Sequence, residues 1–128
     1  MEIELAALFQ SHADSVATLL FGYFSVTSAF LGASYFVATT LSRGLATVVV
    51  ALYSVTALAL IGYCERHGAL LVQIRTELVR LDVSWHTAVS EPSFVLPSLN
   101  YTIVAAMFAI YIASIWYFFN ARRQADGT

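Results

Sequence analysis

Three long apolar segments, separated by a single arginine and by one longer charged stretch, set the pattern of this chain. They cover residues 15–42, 44–64 and 98–121, and none of them contains Asp, Glu, Lys, Arg or His. Roughly 20 mostly apolar residues are enough for a helix to cross a bilayer, and a helix satisfies its own backbone hydrogen bonds in lipid. The pattern therefore predicts an all-α integral membrane protein with three transmembrane helices in a single membrane domain, residues 1–128.

The stretches around the spans complete this organisation. Residues 1–14 predict a short amphipathic segment at the bilayer edge. Its apolar side chains are Ile3, Leu5, Leu8 and Phe9. Residues 92–97 predict a loop because they contain two prolines, which cannot continue a helix. Residues 122–128 predict a basic tail.

The charged stretch 65–91 predicts an extramembrane amphipathic helix. No proline interrupts the chain between the second span and Glu91, so this helix either continues from the second span or follows it. At 100° per residue it has two apolar stripes. One consists of Leu70, Leu71, Ile74, Leu78, Leu81 and Trp85, and the opposite one of Val72, Val79 and Val83. Two stripes indicate a helix packed between two neighbours, such as its own chain and a second subunit. The alternative is a solvated spacer.

Composition narrows the class of protein. Hydrophobic residues make up 59% of the chain and charged residues 11%, against about 25% charged residues in soluble domains. The net charge of −2 gives no basis for binding nucleic acid. All six basic residues are Arg, a bias that points to a GC-rich genome and leads us to expect a bacterial inner membrane.

The basic residues beside the spans predict the orientation in the membrane. Arg43, Arg122 and Arg123 adjoin spans directly, and with Trp116 and Tyr117 they are candidate membrane-interface anchors. We therefore expect the N-terminus outside and the C-terminus in the cytoplasm. This topology predicts that impermeant thiol reagents reach the single cysteine, Cys64, from the outside.

Small residues on each span predict surfaces for helix packing, because they let helix backbones approach closely. The candidates are Gly22, Ser25, Ala29 and Gly32 in the first span, Ala51 and Ser54 in the second, and Ala105, Ala109 and Ala113 in the third. These stripes either close the bundle of one chain or contact other subunits. Large aromatic side chains are expected to face lipid instead. These are Phe21, Phe24, Phe36, Phe108, Tyr111 and Phe118.

The spans lack the groups that membrane chemistry usually requires. Pumps and coupled transporters use ionisable residues inside the bilayer, and these spans have none. His12, His67 and His86 lie outside the spans; His67 and His86 would be nearly 30 Å apart on one helix, too far to share a metal. We therefore predict a protein that is not an enzyme, with no cofactor, metal site or catalytic residue.

These observations favour a structural or accessory subunit of a larger or self-assembled membrane complex, in contact with lipid and with a protein partner or further copies. The alternative is a homo-oligomeric pore or channel, similar in its three-span layout to phage holins, although no motif accompanies that likeness. Its candidate lining residues are Ser25, Thr27, Ser28, Ser34, Thr39 and Thr40. A third hypothesis is a binder of a lipid or apolar cofactor.

Overall fold

The computed structural model describes residues 2–80 and 95–127, with side chains described at 3–77, 80, 97–124 and 127. It contains three helices in this part of the chain: α1 (Glu2–Val37), α2 (Arg43–Arg80) and α3 (Val95–Asp126). Each is long and apolar enough to cross a membrane. The predicted all-α fold, with three helices long and apolar enough to span a membrane, is confirmed.

The first two helices form an antiparallel hairpin joined by a short connection at 38–42. Its backbone is held by bonds from the amides of Thr40 and Leu41 to the carbonyl of Val37. The Ser42 hydroxyl accepts a bond from the Leu45 amide at 3.3 Å, which satisfies one of the free N–H groups of the first turn of α2. α3 contacts both members of the hairpin.

Helix bounds differ from the sequence interpretation at both ends of α1 and of α3, and α3 continues to Asp126, so most of the expected tail 122–128 is helical. Residues 2–14 are the first turns of α1 rather than a separate segment, and α1 ends at Val37, before the expected end at 42. α2 continues unbroken from the second span to Arg80, whereas residues 81–91 of the expected helix lie outside the described residues. α3 begins at Val95, so 95–97 is helical rather than loop, because proline is tolerated in the first turn of a helix.

The lengths of α1 and α2 exceed what a bilayer requires. Their 36 and 38 residues correspond to about 54 and 57 Å at 1.5 Å per residue, against a hydrocarbon thickness of about 30 Å. The hairpin therefore extends beyond the apolar layer. The N-terminal turns of α1 and the C-terminal turns of α2 lie at the same end of the bundle, where His12 contacts His67.

The core between the three helices is built from aromatic and hydroxyl side chains. Its most buried members are Tyr23, Thr27, Phe30, Ser34, Ala38, Ala46, Tyr53, Ala57, Ile61, Cys64, Met107, Ser114 and Phe118. The rings of Phe30 and Tyr53 stack at a centroid distance of 3.9 Å, and Phe118 lies 5.6 Å from Phe30. One aromatic stack thus joins α1, α2 and α3.

Hydrogen bonds between helices reinforce this stack. The Tyr23 hydroxyl donates to the carbonyl of Met107 at 2.5 Å, and the Tyr111 hydroxyl donates to the Ser54 hydroxyl at 2.9 Å. Lipid tails are as apolar as the side chains, so membrane helices associate through packing and such bonds rather than through a hydrophobic driving force. Each pair of bonded groups fixes the rotation of two helices relative to each other.

The expectation that all six large aromatic side chains face lipid is partly wrong. Phe118 is 1% exposed and Tyr111 is half-buried with a bonded hydroxyl, because both lie on the α3 face that meets the hairpin. The other four are exposed, as expected. They are Phe21, Phe24, Phe36 and Phe108.

Candidate functional site

The small-residue stripe of α3 faces away from the bundle. Ala105, Ala109 and Ala113 are all exposed, whereas Met107 and Phe118, on the opposite side of the helix, are buried. The stripe therefore does not close the bundle of this chain. It presents a shallow surface on which another helix backbone could come close.

The small-residue stripe of α1 also faces away from the bundle. Ser25, Ala29 and Gly32 are exposed, and a Cβ added at Gly32 would have no neighbouring atom within 4 Å. Gly22 is half-buried, and its added Cβ would lie 3.9 Å from the Leu60 side chain. Three of the four small residues of this stripe are therefore exposed and are not packed inside the bundle.

The two small-residue packing candidates in α2 differ in burial. Ala51 is exposed, whereas Ser54 is half-buried and accepts the bond from Tyr111. Ser54 therefore belongs to the interior of the bundle. Sequence reasoning assigned it to a packing surface but could not identify α3 as its neighbour.

The extension of α2 packs against its own chain with one apolar stripe. Ile74 is 7% exposed and lies against Leu5 and Phe9 of α1. Leu70 and Leu71 of the same stripe, and Val72 of the opposite stripe, are half-buried. The other predicted stripe residues lie outside the described side chains: Leu78, Val79, Leu81, Val83 and Trp85. One of the two expected neighbours of this helix is therefore the beginning of α1.

A pair of histidines beside this contact was missed by sequence reasoning. The Nδ1 atoms of His12 and His67 are 2.8 Å apart, and the ring centroids 5.1 Å. In this contact one ring nitrogen donates and the other accepts, and the tautomers decide which does which. The two residues are 55 positions apart, and only the antiparallel packing of α1 on α2 brings them together. The described residues contain no group of three or more His, Cys, Asp or Glu side chains placed to hold a metal.

The opposite end of the bundle is basic. Arg43 at the start of α2 and Arg122 and Arg123 near the end of α3 line one cavity of about 520 Å³. Arg43 and Arg123 are exposed, and Arg122 is half-buried. The two aromatic anchor candidates lie nearby in sequence, Trp116 at 66% exposure and Tyr117 half-buried.

The hydroxyl groups proposed for a pore lining are divided between the inside and the outside of the bundle. Thr27 and Ser34 are 4% and 2% exposed, and the Ser34 hydroxyl donates to the carbonyl of Phe30. Neither can line a water path between copies of the chain. The remaining four candidates are exposed. They are Ser25, Ser28, Thr39 and Thr40.

Comparison of the chain with protein-family models, curated proteins and solved structures finds no match in any of the three.

Proposed function

We propose that this protein is a non-enzymatic structural or accessory subunit that assembles, in the membrane, with a protein partner or with further copies of itself. The observation that carries the proposal is the outward orientation of the small-residue stripes of α1 and α3. Small residues on a lipid-facing surface are not needed to keep a helix in the bilayer. They do allow the backbone of another helix to approach more closely. Two such faces on one thin bundle favour contacts with other helices.

The shallow burial of the spans supports the same proposal. In the most apolar 18 residues of each span, only 17%, 22% and 17% are buried within the bundle. Most of the surface of each helix is therefore available to lipid or to other subunits. The internal packing uses one aromatic face of each helix and leaves the small-residue faces of α1 and α3 without a role inside the chain.

The proposed setting is a bacterial inner membrane, with the N-terminus outside and the C-terminus in the cytoplasm. The support is the cluster of Arg43, Arg122 and Arg123 at one end of the bundle, because positive charges beside spans are enriched on the cytoplasmic side. The paired extension of α1 and α2 then lies outside the membrane, where it offers a second surface to a partner.

The experiment is extraction of the protein from its native membrane in mild detergent, followed by native mass spectrometry of the assembly. The informative variants are Ala109→Phe and Gly32→Phe, which place a large ring on the outward faces of α3 and α1. We expect both variants to be released from the assembly with unchanged helix content. Ala59→Phe is the matched control, because Ala59 is also exposed but belongs to none of the predicted small-residue stripes.

Three results would contradict the proposal. One is a wild-type chain that leaves the native membrane as a monomer, and another is retention of both variants in the assembly. The third is a homo-oligomer whose purified form conducts ions in planar bilayers, which would establish the pore instead.

A further inference from the structure

The basic end of the bundle combines a cluster of positive charges with an apolar surface. Arg43, Arg122 and Arg123 line one side of the cavity. Its remaining lining residues are Ala46, Thr47, Val50, Ala51 and Phe119. Only Thr47 among these carries a polar side-chain group, and its hydroxyl donates to the carbonyl of Arg43 at 3.0 Å. The cavity is therefore charged at its rim and apolar along its wall.

The three arginines have no carboxylate partner among the described side chains, where the one ion pair joins Arg80 and Glu77. The Nη1 atom of Arg122 is buried and makes no hydrogen bond within the described part of the chain. A buried donor without an acceptor calls for an explanation, and a bound anion is one that fits an arginine at a cavity. Asp126 is the single acidic residue of the sequence after Glu91, so this end carries a positive excess.

We propose that this cavity binds an anionic phospholipid. The phosphate accepts hydrogen bonds from Arg43, Arg122 and Arg123, and an acyl chain lies along Val50, Ala51 and Phe119 between α2 and α3. Guanidinium groups bind phosphate through several directed N–H donors, and basic pockets between membrane helices bind anionic lipid headgroups. The start of α2 adds the positive end of a helix dipole on the same side.

The position of the site selects a lipid over a free anion. The cavity lies at the end of the apolar spans, and its lining includes the exposed Phe119 together with Arg122 and Arg123 of α3. A lipid phosphate lies at this depth, with its chains already in contact with the helices. The cavity has a volume of about 520 Å³, which is within the range of about 300–1,000 Å³ that is typical of small-molecule sites. This inference does not depend on the proposed assembly.

The test is native mass spectrometry of the delipidated full chain in mild detergent, titrated with dioleoyl phosphatidylglycerol or dioleoyl phosphatidylcholine. The two lipids have the same chains and differ in headgroup charge. We expect the first to bind at least tenfold more tightly. One arginine near a membrane surface contributes about a fivefold gain in affinity for anionic lipid, so we expect Arg122→Gln to lose about fivefold.

Two pairs of variants separate the charged from the apolar contribution. Replacement of all three arginines by Gln should weaken phosphatidylglycerol binding about a hundredfold, whereas Arg66→Gln, an exposed arginine at the other end of the bundle, should change it less than twofold. Ala51→Phe fills the apolar wall and should weaken binding with the arginines intact. Leu52→Phe, on an exposed face outside the cavity, should not. Circular dichroism of each variant establishes that it is folded.

The proposal is overturned by equal affinity for the two lipids, or by full binding to the triple variant. An equal loss in Arg66→Gln would show attraction to overall charge and would also overturn it. Displacement of the lipid by excess inorganic phosphate, together with no effect of Ala51→Phe, would show that the arginines recognise a free anion and that no acyl chain is held.

Discussion

Tyr23 shows how single side chains hold these helices together. Its ring is fully buried, and its hydroxyl reaches across the bundle to the carbonyl of Met107. A buried hydroxyl without a partner costs free energy in lipid, so the bond fixes the position of α3 relative to α1. The sequence identifies Tyr23 only as one of several aromatic residues in the first span.

We expect Tyr23→Phe to lower the free energy of unfolding by about 0.6–1 kcal/mol, the usual net contribution of one such bond. Unfolding by sodium dodecyl sulfate in mixed micelles, followed by circular dichroism, measures this change. Tyr35→Phe is the control because Tyr35 is 69% exposed. An equal effect of the two substitutions would show that the Tyr23 hydroxyl does not stabilise the bundle.

Gly68 marks a close approach between α2 and α3. A Cβ added at this position would collide with the side-chain amide of Asn100, whereas one added at Gly62 would have no neighbour within 4 Å. The difference matters because alanine is otherwise favoured over glycine inside a helix by about 1 kcal/mol. The two glycines are therefore a matched pair within one helix.

We expect Gly62→Ala to leave the free energy of unfolding unchanged or to raise it. The free energy of unfolding of Gly68→Ala should be about 1 kcal/mol lower than that of Gly62→Ala, at the low end of the usual cost of overpacking. The same detergent titration measures both. In an Asn100→Ala background the penalty at Gly68 should disappear, since the colliding amide is gone. A penalty that persists in this background would show that the amide of Asn100 is not its cause.

At the scale of elements, α2 is one helix that serves two environments. Its first part is a membrane span and its last turns pack on the beginning of α1, where Ile74 meets Leu5 and Phe9. Its sequence holds both patterns, an uninterrupted apolar run and then a two-striped amphipathic run. The absence of proline permitted a continuous helix, and the structure decides between this and a separate helix. The segment 1–14 could not be identified as the neighbour of Ile74, because an amphipathic helix looks the same against lipid and against another helix.

We expect Phe9→Ala to loosen this paired extension without unfolding the membrane bundle. Loss of one half-buried aromatic side chain costs about 2 kcal/mol. Amide hydrogen exchange should therefore accelerate at residues 70–77 and remain slow around Tyr23. Ile3→Ala is the control, because Ile3 is 85% exposed and its loss should leave both regions unchanged. Acceleration around Tyr23 as well would show that the extension and the bundle unfold as one unit.

At the scale of the whole molecule, the burial of Cys64 changes how the topology can be tested. Cys64 is 1% exposed in the core between the helices, so the expectation that thiol reagents reach it from outside is wrong. Its position at the apparent edge of the second span suggested accessibility. Continuation of α2 and its packing against the other helices instead enclose it.

We expect Cys64 to react with a maleimide only after unfolding. In a Cys64→Ala background, Gln73→Cys and Thr39→Cys place thiols at exposed positions at the two ends of the hairpin. With the N-terminus outside, an impermeant maleimide should label Gln73→Cys in intact cells and Thr39→Cys only after permeabilisation. Mass spectrometry of the labelled chain measures this, and the reverse pattern would invert the proposed topology.

The sequence by itself determined the number of spans and their helical state, and it left open whether the second span continues into the charged stretch, which α2 does as far as Arg80. Those properties depend on local composition, because bilayer thickness sets the length of an apolar segment and lipid forces its backbone into a helix. The tertiary structure decided which face of each helix turns inward. Small and aromatic stripes occur together on α1 and α3, and either could have closed the bundle. Only the complementary shapes and hydrogen bonds of three helices place Tyr23, Tyr53 and Phe118 inside and leave the small-residue stripes of α1 and α3 outside.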